Sequence, residues 1–347
     1  MVRVYLDHNA TAPLRSEARD AMIAAMDVLG NPSSVHAEGR AAKSVLERAR
    51  GDLSEALGAD GADIVFTSGA TEGAALALAG RGLRSADVEH DAVAAWITPD
   101  LAVDQHGAVA VKYPAQACVQ LANSETGILQ DLPQGLAVSD MTQGFGKLPV
   151  AFNWSGATVA LSSAHKLGGP KGIGAVIIKR GTDLAAQLKG GGQEMGRRAG
   201  TENIIGAAGF AAAAVAAQRD LSDGVWDRVA SLRDLLEETL AVEAKNTIFV
   251  GKGLKRLPNT VCLATPGWKG ETQVMQMDLA GYAISAGSAC SSGKVRASRV
   301  LKAMGYADDV AAGAIRVSLG PETTKQDVLG FANAWLAQHR KHRARAA

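Results

Sequence analysis

The sequence has few aromatic residues and almost no net charge, and these shortages narrow the range of partners that the protein is expected to bind. Aromatic residues make up 4% of the 347 residues, although hydrophobic residues make up 47%. Charged residues are 20%, which is typical of a globular protein and not of a disordered one. The 36 basic and 35 acidic residues give a net charge of +1, so no global charge attracts nucleic acid or an acidic membrane surface. We therefore expect a small-molecule substrate, with neither nucleic acid nor membrane as a partner.

Cysteines and long apolar runs are also scarce. The three cysteines, Cys118, Cys262 and Cys290, are an odd and sparse set that favours neither a disulfide framework nor a metal motif. No apolar run approaches the roughly 20 residues that span a bilayer, and the N-terminus lacks the basic and then apolar layout of a signal peptide. We predict a cytoplasmic protein with no bound metal.

The length favours one large domain and one smaller domain. Residues 1–15 resemble an arm that packs with the small domain, and residues 16–221 alternate strands and helices. Residues 222–347 contain short strands among helices, a texture typical of an α+β domain that would carry the Cys290 loop. The basic tail, HRKHRARAA, is predicted to be disordered.

A phosphate site is one of two interpretations of the stretch DIVFTSGATEGAALALAG. It reads as a strand, a tight turn and the start of a helix, where free backbone N–H groups near Ala70 and Thr71 would hold an anion. The other interpretation is that Ser68 or Thr71 simply caps the helix.

The stretch SSAHKLGGPKGIG, residues 162–174, places Lys166 on a loop between two strands. Taken alone it is a turn, but a lysine fixed there also suits a Schiff base to a cofactor carbonyl. Asp140 follows a short strand, on the edge of an α/β sheet where ligands bind. Cys290 lies among small residues where a thiol is accessible, and Arg316 on a strand suits a carboxylate or phosphate. A phosphate anchor, an acidic partner for a ring nitrogen and an amine are what pyridoxal 5'-phosphate requires.

Ten ordered motifs carry a family resemblance over nearly the whole chain. They are YLDHNATAP, NPSSVH, FTSGATE, EH, NSETG, SDMTQGFGKLP, SSAHKLGGPKGIG, GGGQEMGRRAGT, GSACSSG and IRVSLG. With them the chain resembles the NifS/IscS-type cysteine desulfurases, in the class V branch of fold-type I pyridoxal-phosphate enzymes. The resemblance implies an α/β fold with a mainly parallel, seven-stranded type of sheet in the large domain and a smaller α+β C-terminal domain.

The same resemblance implies roles for individual residues. Lys166 would be the Schiff-base lysine, Asp140 the partner of the pyridine nitrogen, and Cys290 the sulfur acceptor. His90 would stack on the cofactor ring, and Gln143 would approach its phenolic oxygen. The remaining implied residues are Ala70, Thr71, Ser124, Ser163 and His165 for the cofactor, Thr201 from the second subunit of a homodimer, and Asn123 and Arg316 for the substrate.

The implied reaction converts L-cysteine to L-alanine and leaves sulfur on Cys290 for iron–sulfur cluster assembly or another transfer to a protein acceptor. Alternatives are a selenocysteine lyase, another class V enzyme, or a non-catalytic partner-binding homologue. The chain departs from the family at Ser124, Gln193 and Met195. Its segments on either side of Ser124 are short, so we expect lost helices and an exposed sheet face that a partner protein or extra oligomer contacts cover.

Overall fold

The computed structural model describes residues 3–287 and 297–346. The α-helices within these ranges are α1 (Ser16–Met26), α2 (Ala37–Ala56), α3 (Ala70–Leu78), α4 (Asp91–Ala94), α5 (Ile204–Ser222), α6 (Val225–Glu243), α7 (Gly270–Leu279), α8 (Arg299–Ala303), α9 (Asp308–Ala312) and α10 (Lys325–Ala346). The strands are β1 (Val4–Tyr5), β2 (Asp63–Thr67), β3 (Arg84–Ser85), β4 (Thr98–Pro99), β5 (Ser139–Asp140), β6 (Val159–Ser163), β7 (Gly174–Ile178), β8 (Ile248–Val250), β9 (Thr260–Ala264), β10 (Tyr282–Ala283), β11 (Ser285–Ala286) and β12 (Ala314–Ser318).

The larger sheet is continuous through single bridges. Its ladder runs β2-β7-β6-β5, and parallel bridges then join Val138 to Cys118 and Ala117 to Arg84, where β3 pairs with β4. Only β7 runs against its neighbours among these paired segments. The predicted mainly parallel sheet of the seven-stranded type is therefore confirmed.

Helices cover this sheet unequally. The helices α1, α2 and α5 pack on one face, where Leu46, Leu53, Ile177 and Phe210 are buried. On the other face, the described chain between β4 and β5 forms no α-helix, only bridges and a 3-10 turn at Pro114–Gln116. The predicted loss of helices is confirmed.

The expected exposed sheet face is wrong for the described strands. Val65, Val138, Val159, Leu161 and Val176 are all 0% exposed on the side that lacks those helices. The helix α3 and a few single side chains cover them instead, namely Leu83, Val93 and Leu184. The chain therefore buries this face without a partner protein.

A second sheet, of order β11-β12-β9-β8, is antiparallel and packs with α6, α7 and α10. The first residues join this part of the molecule, because β1 pairs in parallel with β10 and Leu6 is buried in the same core. This agrees with the predicted α+β texture. The limits at residues 15 and 221 stay predictions, and α5 continues one residue beyond the second limit.

The prediction of a disordered tail is wrong, because α10 continues to Ala346. His339 stacks on Trp335 with ring centres 5.1 Å apart, and His342 stacks on Trp268 at 5.3 Å. His339 also shares a 3.0 Å hydrogen bond with Asn246. The contacts with Trp268 and Asn246 join segments far apart in sequence, so the basic composition of the tail did not reveal them.

One helix contradicts the expectation of no long apolar run. By length and composition α5 is able to cross a membrane. In the structure it packs against α1 and α2, and Ala207, Phe210, Ala214 and Ala217 are buried there. This packing is that of a core helix.

Candidate active site

A cavity of about 490 Å³ lies where β2, β5 and β6 end, beside the N-terminal arm. Nine of the predicted site residues line it: Ala70, Thr71, His90, Ser124, Asp140, Gln143, Ser163, His165 and Lys166. Asn123, Arg316 and Thr201 do not border it, and Cys290 falls outside the described residues. The carboxyl ends of parallel strands meet at one sheet edge, which explains why residues so distant in sequence converge.

The start of α3 forms an open cradle in this cavity. The helix begins at Ala70 after Gly69, whose φ of 157° few side chains tolerate, and no described side chain caps it. The alternative that Ser68 or Thr71 caps the helix is therefore not what the structure shows. Uncapped N–H groups and the positive end of the helix dipole suit a phosphate.

Close backbone packing shapes the cradle. A Cβ on Gly174 would lie 2.6 Å from the Ser162 carbonyl oxygen and 2.7 Å from the Gly69 Cα. The first residue of β7 therefore has to be glycine for β6 and the turn before α3 to sit this close. The same arrangement places Ser163 near the turn, with its Oγ 3.7 Å from the position of a Cβ on Gly69.

Lys166 ends a 3-10 turn, Ala164–Lys166, directly after β6. Its Nζ donates to the carbonyl oxygens of Asn9, at 2.7 Å, and Ala10, at 2.9 Å. Beside it, burial and then the charges of Lys166 and Lys171 lower the pKa of His165 to about 4, so that His165 is neutral at pH 7. Two lysines and a neutral histidine leave this end of the cavity positive, which suits a phosphate.

Asp140, Thr142 and Gln143 line the cavity. The Asp140 Oδ1 accepts a hydrogen bond from the Thr142 N–H at 2.9 Å, which fixes the carboxylate. The Thr142 Oγ1 is buried and finds no partner in the described chain. Buried hydroxyls are normally hydrogen-bonded, so the Thr142 Oγ1 beside the fixed Asp140 carboxylate suits a polar ligand in the cavity.

His90 caps α4 as well as lining the cavity. Its Nδ1 accepts from the Ala92 N–H at 3.1 Å, so the neutral ring carries its proton on Nε2. The residue before it, Glu89, is 1% exposed and accepts from the Gln120 N–H at 2.8 Å. Burial raises the pKa of Glu89 to about 8, which keeps this carboxyl protonated at neutral pH.

Arg316 lies next to the cavity wall, engaged by the N-terminal arm. It pairs with the Asp7 carboxylate at 2.8 Å and donates to the Ser124 carbonyl oxygen at 2.9 Å. Its Nε is buried without a partner in the described chain. Asn123 is held by the chain itself, because its Oδ1 accepts from the N–H groups of Glu125 and Thr126 and its Nδ2 donates to the Val88 carbonyl oxygen.

Ion pairs hold the glycine-rich loop, residues 190–203, against α2, β2 and α3. Glu194 makes a two-fold contact with Arg50 at 2.8 and 3.0 Å and also accepts from the Phe66 N–H. Arg197 pairs with Asp63, and Arg198 pairs with Glu72 on α3. The same loop exposes Met195 and Thr201, and Gln193 accepts from the Gly200 N–H.

The comparisons with known proteins agree with this geometry. The chain matches the model of the class-V aminotransferase family over residues 4–95 and 111–331. A cysteine desulfurase of Frankia sp. (strain EuIK1) is 39% identical, covering 94% of this chain and 88% of that protein. The cysteine desulfurase IscS of Dictyoglomus turgidum is 34% identical, covering 94% of this chain and 91% of that protein.

A solved structure is also similar. The X-ray structure of a NifS-like protein from Rickettsia africae ESF-5 has a TM-score of 0.88 at 29% identity. The match covers 97% of this chain and 99% of that one. This chain belongs to the class-V aminotransferase family. Within the family it belongs with the cysteine desulfurases, as the ordered motifs predicted.

Class-V enzymes depend on pyridoxal 5'-phosphate, and the cavity fits that cofactor. The uncapped helix start and the positive end around Lys166 and Lys171 suit its phosphate. The fixed carboxylate of Asp140 suits its ring nitrogen, and the Thr142 hydroxyl without a partner marks a polar ligand nearby. The residues present therefore agree with the cofactor in charge and in hydrogen-bonding capacity.

Sequence reasoning missed three titratable groups around the site of this class-V enzyme. They are Asp7, Glu89 and Lys147, of which Lys147 is 3% exposed. Each lies inside a motif that was recognised as a whole, in YLDHNATAP, EH and SDMTQGFGKLP. A charged residue within an otherwise apolar, small-residue motif was the available signal.

Proposed function

We propose that this class-V enzyme converts L-cysteine to L-alanine and passes the sulfur to Cys290 as a persulfide. The observation that supports it most is the convergence of Lys166, Asp140 and the α3 cradle in one cavity. An amine, a fixed carboxylate and a phosphate site in that arrangement serve amino acid chemistry on pyridoxal phosphate.

The cofactor would be held by groups at both ends of the cavity. The α3 start, Ser163 and His165 would take the phosphate, and Asp140 would hold the proton of the ring nitrogen. When bound, the cofactor supplies an electron sink for the pair of electrons left at the substrate Cα. The neutral imidazole of His90, fixed by its bond to the Ala92 N–H, would pack against the ring.

Lys166 would carry the proton of the reaction. Its Nζ donates to the carbonyl oxygens of Asn9 and Ala10 at the edge of the cavity, which both Ala10 and Lys166 line. As a free amine it takes the proton from the substrate Cα. Arg316 would bind the substrate carboxylate, which would share the guanidinium with Asp7.

The transfer of the substrate sulfur to Cys290 needs no external reductant. The Cys290 thiolate attacks the substrate sulfur, a bond forms between the two sulfurs, and the substrate bond between Cβ and sulfur breaks. The electron pair of that bond stays on the carbon fragment, which gains protons and leaves as alanine. Sulfur remains on Cys290 as a persulfide.

Three further proposals concern the surroundings of the enzyme. A homodimer would let Thr201 reach the phosphate of the partner subunit, since Thr201 is exposed and does not border the cavity of its own chain. A protein acceptor, such as an iron–sulfur scaffold, would take the persulfide sulfur. We place the reaction in the cytoplasm, on the sparse cysteines and their reducing chemistry.

Replacing Cys290 tests this function. We expect Cys290→Ala to bind the cofactor with unchanged absorbance, to lose alanine formation from L-cysteine, and to lose the mass increase of one sulfur on the peptide that contains residue 290. The neighbouring Ser291→Ala is the matched control and retains both signals. Alanine formation by Cys290→Ala at the unmodified rate would refute the proposed sulfur step.

A further inference from the structure

Lys147 is a buried lysine next to the site with no assigned role. It is 3% exposed, and its Nζ donates to the Gln143 Oε1 at 2.5 Å and to the Asn9 Oδ1 at 3.2 Å. No carboxylate pairs with it within residues 3–287 and 297–346. Burial and then the nearby charges of Lys166 and Arg316 lower its pKa well below the usual value. A buried amine kept without a counter-charge costs stability, so its presence calls for a reason.

Its first effect is on the orientation of Gln143. The Lys147 Nζ has two oxygen acceptors, the Asn9 Oδ1 and the Gln143 Oε1, so it holds the oxygen end of the Gln143 amide. The nitrogen end then points away from Lys147 and donates to the Asn9 carbonyl oxygen at 3.0 Å. An amide nitrogen carries two N–H groups, which leaves one for a ligand in the cavity that Gln143 lines.

The second effect of Lys147 is on the carbonyl group that accepts a hydrogen bond from Lys166. The Asn9 carbonyl oxygen that accepts from Gln143 also accepts from the Lys166 Nζ, at 2.7 Å. The side chain of Asn9 is held by Lys147 at one end and by Thr260, at 2.8 Å, at the other. Lys147 thus binds the side chains of Asn9 and Gln143, and the Asn9 carbonyl oxygen is shared by Gln143 and Lys166.

Lys147 does not itself border the 490 Å³ cavity. It borders a second cavity of about 380 Å³ that also touches Lys166 and His8. Any influence of Lys147 on a bound cofactor therefore passes through Gln143, through Asn9, or through its charge.

We propose that Lys147 is a positioning residue, which fixes the Gln143 amide with its nitrogen toward the ring oxygen of the cofactor and holds the Asn9 carbonyl under Lys166. This inference rests on the cofactor of the proposed function. Without Lys147 the amide can flip and present an oxygen to an electron-rich ring oxygen, which repels it.

The test compares Lys147→Met, whose side chain has no N–H donor, with Lys147→Arg, whose side chain has N–H donors and no acceptor. The readout is the pH midpoint of the absorbance change of the bound cofactor, measured without substrate. Loss of the N–H donor that holds Gln143 destabilises the deprotonated state, so we expect Lys147→Met to raise this midpoint by about one unit. Lys147→Arg should stay near the wild-type midpoint, and the exposed Lys341→Met on α10 is the control for a lost charge.

A double-mutant cycle separates positioning from general damage. If Lys147 acts through Gln143, Lys147→Met in a Gln143→Leu background adds little to the shift that Gln143→Leu causes alone. Where Lys147→Met gives no soluble protein, Lys147→Gln replaces it as the neutral variant. A wild-type midpoint in the neutral variant, or shifts that add fully in the double variant, would overturn the inference. Failure of the wild-type enzyme to develop cofactor absorbance would instead remove the proposed function, and this inference with it.

Discussion

The substitution Gly174→Ala tests how the cradle is built. The added Cβ would meet three backbone atoms, the Ser162 oxygen at 2.6 Å, the Gly69 Cα at 2.7 Å and the Gly69 carbonyl carbon at 2.8 Å. None is the end of a flexible side chain, so β6, β7 or the turn before α3 has to move. Overpacking of a core typically costs about 1 to 3 kcal/mol, and we expect the upper part of that range because backbone is displaced on two sides.

The same displacement moves Gly69, the residue before the uncapped start of α3. We therefore expect weaker binding of pyridoxal phosphate, by about tenfold for each 1.4 kcal/mol of lost interaction. Urea denaturation gives the loss of stability, and titration of the apoenzyme with the cofactor gives the affinity.

The matched control is Gly51→Ala in the middle of α2. Its Cβ would meet no atom within 4 Å, and alanine favours a helix over glycine by about 0.5 to 1 kcal/mol. We expect this variant to be slightly more stable and to bind the cofactor normally. If Gly174→Ala matched wild type in both stability and cofactor affinity, the close packing at the cradle would be disproved.

Two further substitutions test buried titratable side chains, Glu89 and Arg316. The carboxyl of Glu89 has a pKa of about 8 in the folded chain against 4.5 when exposed, so folding retains a proton. Stability therefore falls as pH rises from about 4.5 to 8, by on the order of 5 kcal/mol. Glu89→Gln should flatten this slope and be the more stable protein at pH 8 in urea titrations; a slope like that of wild type would count against a protonated Glu89. Arg316→Lys keeps the charge beside Asp7 but loses the planar fork, so the KM for L-cysteine should rise about tenfold or more while cofactor absorbance is unchanged. An unchanged KM would show that Arg316 does not bind the substrate carboxylate.

Several parts of the site follow from neighbouring residues and were predictable. The strand, turn and helix of DIVFTSGATE are contiguous, and the structure has β2 at the predicted residues with α3 after the Gly69 turn. Lys166 and Asp140 both follow strands, which places them at the same sheet edge. The order of the motifs indicated the family without any knowledge of contacts.

Other features depend on contacts between distant segments. The arm contributes Asn9 to Lys166, Gln143 and Lys147, although more than a hundred residues separate them in the chain. Short segments around Ser124 correctly predicted lost helices, but only the packing of α3 with Leu83, Val93 and Leu184 decided that the sheet face is covered. Likewise, composition favoured disorder in the tail, whereas stacking on Trp268 and Trp335 keeps it helical.

The sequence by itself determined the family, the chemistry-bearing residues and the strand ends that carry them, because these depend on local order along the chain. Only the tertiary structure decided that Arg316 pairs with Asp7, that burial raises the pKa of Glu89 and that the Lys147 Nζ donates to the Gln143 amide oxygen. Burial and charge pairing depend on which segments meet in space, and residue types alone do not specify that.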